Sequence, residues 1–281
     1  MKKILVFIPT LNAEKFLSKQ LEMLKKQTIK PDIYVVDSGS KDDTIEILTK
    51  YNINFEVINK NSFNHGLTRN KVLSFQNYDY YLFLTQDAIP CDKYLIEHMV
   101  SAFDKKIKIV YARQIPYDDS NDIEKLARNF NYPDSSIVKC KKDIEKLGIK
   151  TFFTSNSCCM YEAEYFKKQR GFSNTNVSED MEFAYRTVMD GYCIKYEAGT
   201  KVCHSHNYTL RSLCKRYFQI GCFFGKNRYF KNFKTTKEGK KQTKFILYNL
   251  IKRNPLLMSR FIAEVAVKFI GFKIGKIKCK N

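Results

Sequence analysis

No stretch of this 281-residue chain is apolar and uncharged for long enough to make a transmembrane helix. Behind Met1-Lys2-Lys3 the apolar run from Ile4 to Ile8 is five residues long and stops at Pro9, too short for the core of a signal peptide. The two absences lead to the expectation of a protein that starts and stays on the cytoplasmic side. Cysteine patterning is also missing. The nine cysteines are odd in number and contain no Cys-x-x-Cys pair, which argues against a disulfide framework and a cysteine-based zinc site and for reduced thiols. There is no Gly-x-Gly-x-x-Gly and no Walker lysine motif, so dinucleotide and P-loop binding lack their fingerprints. No internal repeat marks a solenoid.

Acid is scarce in one region only. From Tyr208 to Asn281 there are 19 Lys and Arg against two acids, Glu238 and Glu264. The first 207 residues hold 30 basic and 27 acidic residues, so the formal charge of +20 sits almost wholly in the tail. A basic tail on a nearly neutral body points to an anionic partner, either a membrane surface or a nucleic acid. A nucleic acid is the weaker choice, because the body carries no recognition motif and its strand-end acids would repel phosphates.

What is present is a full core, with 44% hydrophobic and 14% aromatic residues. Short apolar runs at 4–8, 33–36 and 80–84 read as strands, those at 4–8 and 80–84 as strands buried on both faces, and Glu56-Val57-Ile58 reads as a brief further one. Helical patterns lie between them, the first with Asn12 as its expected N-cap, others from about Asp42 and from Leu67 to Ser74. The alternation predicts an α/β fold with a mostly parallel sheet, whose ligands bind off the carboxyl ends of the strands. Asp37 and Asp87 fall at such ends. Residues 116–150 read as polar and irregular, a loop or a short helical excursion beside the acceptor site. A helix opens at Glu179-Asp180 and ends at Gly191, and strand-like segments at 192–196 and 201–203 run into His204-Ser205-His206. The tail reads as a helix over 209–230, a basic linker over 231–244, and a last helix from Pro255 with Lys and Arg between its apolar positions, as interfacial membrane helices have.

The chemistry follows from residue types and places. A strand-end carboxylate such as Asp87 holds a divalent cation that bridges two phosphates, with an imidazole from His204 or His206 as a further ligand; Mg2+ or Mn2+ suits oxygen ligands with one nitrogen. Two histidines at i and i+2 of an extended segment point the same way. Asp37 accepts hydrogen bonds from a base or ribose. Asn64, His65, Gly66 and Arg69 lie ahead of a helix as an anion or pyrimidine-edge site. Some carboxylate must take the acceptor's proton in a transfer reaction, and Glu179-Asp180 is the candidate pair.

Six motifs then occur in one order: Phe7-Ile8-Pro9-Thr10-Leu11-Asn12, Val36-Asp37-Ser38-Gly39-Ser40, Asn64-His65-Gly66 with Arg69-Asn70, Thr85-Gln86-Asp87-Ala88, Ser178-Glu179-Asp180, and His204-Ser205-His206-Asn207-Tyr208. Over residues 1 to about 230 the chain resembles the family 2 glycosyltransferases of the GT-A fold, and among them bacterial rhamnosyltransferases. The resemblance implies that Pro9, Thr10, Asn12, Asp37 and Arg69 hold the nucleotide, that Asn64, His65, Gly66 and Gln86 line the same donor pocket, that Asp87 binds the metal with His204, and that Asp180 is the catalytic base. It departs from many relatives in offering a single acid at Gln86-Asp87. The implied protein is an inverting, metal-dependent transferase on the cytoplasmic face of the plasma membrane. It would pass a sugar from a nucleotide-sugar donor (dTDP-rhamnose, or alternatively a UDP-sugar) to a glycan or polyprenyl-diphosphate-linked acceptor. The expected organisation is a catalytic domain over 1–207, with a donor half to about 110 and an acceptor half after it, and a membrane-associating helical region over 208–281.

Overall fold

The structure, a computed structural model, describes residues 2–233 and 236–280, without the side chains of 236 and 237. The strands are β1 (Ile4–Thr10), β2 (Asp32–Asp37), β3 (Asn54–Val57), β4 (Tyr80–Leu84), β5 (Ile89–Pro90), β6 (Ile107–Ile115), β7 (Ile137–Lys139), β8 (Cys158–Glu162) and β9 (Cys193–Cys203). They form one sheet in the order β3-β2-β1-β4-β8-β6-β9-β5, with β7 also on β9. The first four run parallel, as the βαβ pattern requires. Beyond them β8 is antiparallel to both β4 and β6, and β6 returns to parallel pairing with β9. An apolar run does not encode its own direction, so this joint was invisible to periodicity.

The period of two is visible in β1. Ile4, Val6 and Ile8 face one core, while Leu5 and Phe7 face the other. β4 repeats the split, with Leu82 and Leu84 on one side and Tyr81 and Phe83 on the other. Both strands are buried on both faces, and their parallel ends therefore deliver Thr10, Asp37, Gln86 and Asp87 to one edge.

The helices are α1 (Glu14–Lys25), α2 (Thr44–Lys50), α3 (His65–Arg69), α4 (Leu95–Ser101), α5 (Asp122–Asn131), α6 (Ile144–Leu147), α7 (Ala163–Lys168), α8 (Glu179–Met189), α9 (Leu210–Lys226), α10 (Thr236–Arg253) and α11 (Met258–Lys278). Two expectations are corrected and one is narrowed. Asn12 does not cap α1: Ala13 holds the N-cap, and Asn12 adopts φ +53° with its Oδ1 accepting from the Lys41 amide. In 116–150, read as a loop or a short helical excursion, the loop alternative is set aside in part by α5, capped by Asn121, whose Oδ1 accepts from the Glu124 amide at 3.0 Å. The linker over 231–244 is largely the start of α10, although positions 234 and 235 lie outside the described residues. Gly191 ends α8 as expected, at φ +89°.

The tail packs on the body rather than standing off it. Phe223 and Phe230 join the core that holds Phe152 and Phe183, and Ile246, Leu250 and Phe261 pack on Ile123 and Leu126 of α5. α9 and α11 run parallel, with Cys214 beside Gly271 and Phe218 beside Gly275. A Cβ on Gly275 would fall 2.0 Å from the Phe218 carbonyl oxygen, so only glycine allows the two backbones to meet there.

The reading of all cysteines as reduced is also corrected. Cys140 is bonded to Cys193 and Cys222 to Cys279. The first pair follows from register, because Lys139 faces Ile194 across antiparallel β7 and β9 and the next residues out are the two cysteines. Register, unlike spacing, is a tertiary property.

Candidate functional site

The loops after β1 and β2 are tied into one platform. The buried Asp37 carboxylate accepts from Thr10 Oγ1 at 2.9 Å, from the amides of Gly39 and Ser40 at 2.9 and 2.8 Å, and from Ser40 Oγ at 2.5 Å. Its lone pairs thus order the loop. Ser40 Oγ accepts in turn from the Asn12 amide. Pro9 sits opposite Val36 in the parallel ladder.

Gln86 joins the same platform. Its Oε1 accepts from the Leu11 amide at 2.7 Å and its Nε2 donates to the Leu11 carbonyl at 3.1 Å. An amide meets both requirements, whereas a carboxylate would face the Leu11 carbonyl oxygen with no proton to give. That is a physical reason for glutamine beside the single acid Asp87.

Asp87 then faces two histidines. Its Oδ1 lies 3.3 Å from His204 Nε2 and its Oδ2 lies 3.4 Å from His206 Nδ1. One ligating atom from each of the three residues falls within 4.8 Å of the others. Burial, then neighbouring His204, push the His206 imidazole down to about 4, leaving it neutral with a lone pair to offer. Buried His204 Nε2 makes no hydrogen bond within the protein. A carboxylate and two imidazole nitrogens, one of them buried and unsatisfied, fit a divalent cation. The i, i+2 histidines converge as expected, and both of them face the acid, not one.

Arg69, His65, Glu179 and Asp180 form a third group. Arg69 Nη1 lies 3.2 Å from Glu179 Oε1, with both side chains almost fully buried, and donates to His65 Nδ1 at 3.0 Å. Because guanidinium only donates, the His65 proton belongs on Nε2. Burial, then the Arg69 charge, push His65 down to about 4. Burial, the largest single influence, opposes ionisation of Glu179, but Arg69, His65 and the Asn156 side chain together outweigh it and hold the carboxyl below its ordinary value. Half-buried Asp180 behaves in the opposite way. Burial, then the adjacent Glu179 charge, push it up to about 7, against the amides of Asn156 and Met181 that donate to it. That value suits a base working near neutrality.

Asn64 stands apart from these groups. Its Oδ1 caps α3 by accepting from the Leu67 amide, and its Nδ2 donates to Asn174 and Asn176. Gly66 lies where a Cβ would fall 2.1 Å from the Ser173 carbonyl oxygen, so the α3 and 173–176 backbones meet only through glycine.

The turn at 155–157 links the two centres, and sequence reading gave it no role. Asn156 donates from its amide to Asp180 and from Nδ2 to Glu179. Ser155 Oγ accepts from Gln114 Nε2, and Gln114 Oε1 contacts His204 Nδ1. Gln114, Arg128 and Asn156 carry no motif, and Gln114 stands beside Arg113 near the end of β6, where no local signal singles it out.

Residues 5–170 match the family model for Glycosyl transferase family 2. The chain is 42% identical to the "O-antigen chain rhamnosyltransferase RfbN" of Salmonella typhimurium, over 98% of this chain and 90% of that one. It is 40% identical to the "O-antigen chain rhamnosyltransferase WbaN" of Salmonella anatum, with the same coverage. Among solved structures it is similar to a mannosyltransferase of Pyrobaculum calidifontis in complex with GDP-Man and Mn2+, with a TM-score of 0.64 at 12% identity over 99% of this chain and 86% of that one. That likeness shows the fold, which is GT-A. The family match and the two near-full-length relatives together establish that the chain belongs to the family 2 glycosyltransferases.

Proposed function

We propose that this glycosyltransferase moves L-rhamnose from dTDP-rhamnose, with inversion, onto a hydroxyl of a lipid-linked glycan during cell-surface polysaccharide synthesis. The observation that carries the transfer chemistry is the pairing of two centres across the 155–157 turn: Asp87 with His204 and His206 on one side, and Asp180 on the other. The names of the two Salmonella relatives support the rhamnosyl and glycan parts of the reading.

In this reading Asp87, His204 and His206 hold Mn2+ or Mg2+, which supplies positive charge to the departing nucleoside diphosphate. The platform built by Pro9, Thr10, Asn12, Asp37 and Gln86 seats the nucleotide. His65 and Gly66 border it, burial and then Arg69 keep His65 neutral, and Asn64 holds the 174–176 loop against α3. Asp180 takes the acceptor proton as the hydroxyl attacks the anomeric carbon. Residues 1–207 do the chemistry, with the donor side up to about 110 and the acceptor side beyond it.

The test is thermal shift and donor hydrolysis with dTDP-rhamnose, UDP-sugars and GDP-sugars, each with Mn2+ and with EDTA. A metal-dependent response confined to dTDP-rhamnose is expected. A response to UDP-sugars instead would replace the donor and keep the mechanism. Silence towards every nucleotide sugar would sink the proposal.

Residues 208–281 seat the enzyme on an anionic membrane surface in this reading. No helix among the described residues is long and apolar enough to cross a membrane. One face of α11 nevertheless exposes Ile262, Phe269 and Ile277 at 60%, 62% and 64%, with Lys273 in the same stripe. Buried apolar area and lysines beside an anionic leaflet act together in such helices, at about 1 kcal/mol per lysine. Cosedimentation with phosphatidylglycerol vesicles at low salt should therefore be strong, and Phe269→Asp with Ile277→Asp should weaken it at least tenfold. Equal binding by that variant and the wild type would remove α11 from the interface.

A further inference from the structure

The metal cluster is backed by a relay from α5, whose contacts fix the orientation of the Gln114 amide and put a proton on His204 Nδ1. Arg128 Nη1 contacts Gln114 Oε1 closely. A guanidinium has donors and no acceptor, so the amide atom it meets must be oxygen. The other amide atom, Nε2, donates to Ser155 Oγ at 2.9 Å, consistent with that orientation. The same Oε1 lies 2.7 Å from His204 Nδ1. An acceptor facing that nitrogen places an imidazole proton on Nδ1, and in the singly protonated ring the lone pair is then on Nε2, 3.3 Å from Asp87 Oδ1.

We infer that Gln114, oriented by Arg128, is a positioning residue that fixes His204 as the Nδ1–H tautomer and so turns its Nε2 lone pair towards Asp87. Two acceptors held face to face repel each other unless a cation lies between them. A cluster so arranged is prepared for a metal rather than for an internal hydrogen bond. α5 supports the second histidine through the same residues. Glu124 Oε1 accepts from Arg128 Nε at 2.7 Å and from the His206 amide at 3.3 Å, so one carboxylate steadies the arginine and the backbone of His206. α5 thus supports both histidines, His204 through Gln114 and His206 through its backbone amide.

The inference rests on the metal reading above, and its test separates the two. Metal-free protein labelled with 15N-histidine, at pH 8, reports each tautomer by two-bond proton–nitrogen correlation, with His204 assigned from a His204→Gln variant. His204 should carry its proton on Nδ1. In Gln114→Leu no acceptor faces Nδ1, and the proton should move to Nε2, where Asp87 accepts it. Gln114→Glu keeps an acceptor at that point and should keep the wild-type tautomer. Mn2+ titration followed by electron paramagnetic resonance should show affinity falling about 10- to 100-fold in Gln114→Leu, and by far less in Gln114→Glu. An Nε2-protonated His204 in the wild type, or an unchanged tautomer and Mn2+ affinity in Gln114→Leu, would overturn the inference. The expected tautomers in a wild type that does not bind Mn2+ would uphold the role of Gln114 and refute the metal reading alone.

Discussion

Asp180→Asn should abolish transfer while leaving donor affinity within about twofold of wild type. The substitution keeps the side chain's shape, but its one remaining oxygen can accept from only one of the Asn156 and Met181 amides, which now meet separate oxygens, and it removes the atom proposed to take the acceptor proton. Loss of a positioned base costs about 10²- to 10⁴-fold in rate, and single-turnover assays with saturating donor would read it directly. Turnover at a tenth of the wild-type rate or better would refute the assignment. The wild-type pH profile should agree. Because Asp180 is pushed up to about 7, kcat/KM should fall as pH drops below about 7 and the base becomes protonated. Stability should move the other way. A carboxyl whose pKa is raised on folding favours the native state while protonated and loses that contribution as pH rises from the unfolded value of 3.8 through about 7. The melting temperature of Asp180→Asn should therefore exceed that of wild type at pH 8, and the gap should close near pH 4.

The second large effect is at the ion pair beneath this site. Arg69 and Glu179 are 2% and 6% exposed and 3.2 Å apart. Removing one member strands the other charge out of water, a penalty of about 3–5 kcal/mol in comparable buried pairs. Arg69→Met should show that loss in urea denaturation. The double variant Arg69→Met with Glu179→Gln should recover most of it, since no charge is then left buried. Equal stability of the single and double variants would show that the pair is not coupled. The double variant should also shift the acid limb of the rate profile to lower pH. The Glu179 charge raises Asp180 more than Arg69 lowers it, so neutralising both brings the base back towards an ordinary carboxylate.

Much of the candidate site's sheet edge was legible because it is written in short apolar runs. Ile4–Ile8 and Tyr80–Leu84 must be strands buried on both faces, and their parallel partners place Asp37 and Asp87 at one end of the sheet. The convergence of His204 and His206 needed only the alternation of an extended chain. Glu179 and Asp180 were legible as acids in a first helical turn. The opposite behaviour of those two neighbours was not. It depends on Arg69, 110 residues earlier in the chain, reaching one carboxylate and leaving the other beside it.

The sequence by itself determined which residues stand at the strand ends, which helix opens with acids and where the positive charge lies, because periodicity, capping and composition are local. Only the tertiary structure decided that Gln86 clamps the Leu11 backbone, that Cys140 meets Cys193, that β8 joins the sheet antiparallel and that Gln114 holds His204. Each of these contacts joins residues at least 53 positions apart. Strand order and register choose the partners of such contacts, and no local pattern along the chain records that choice.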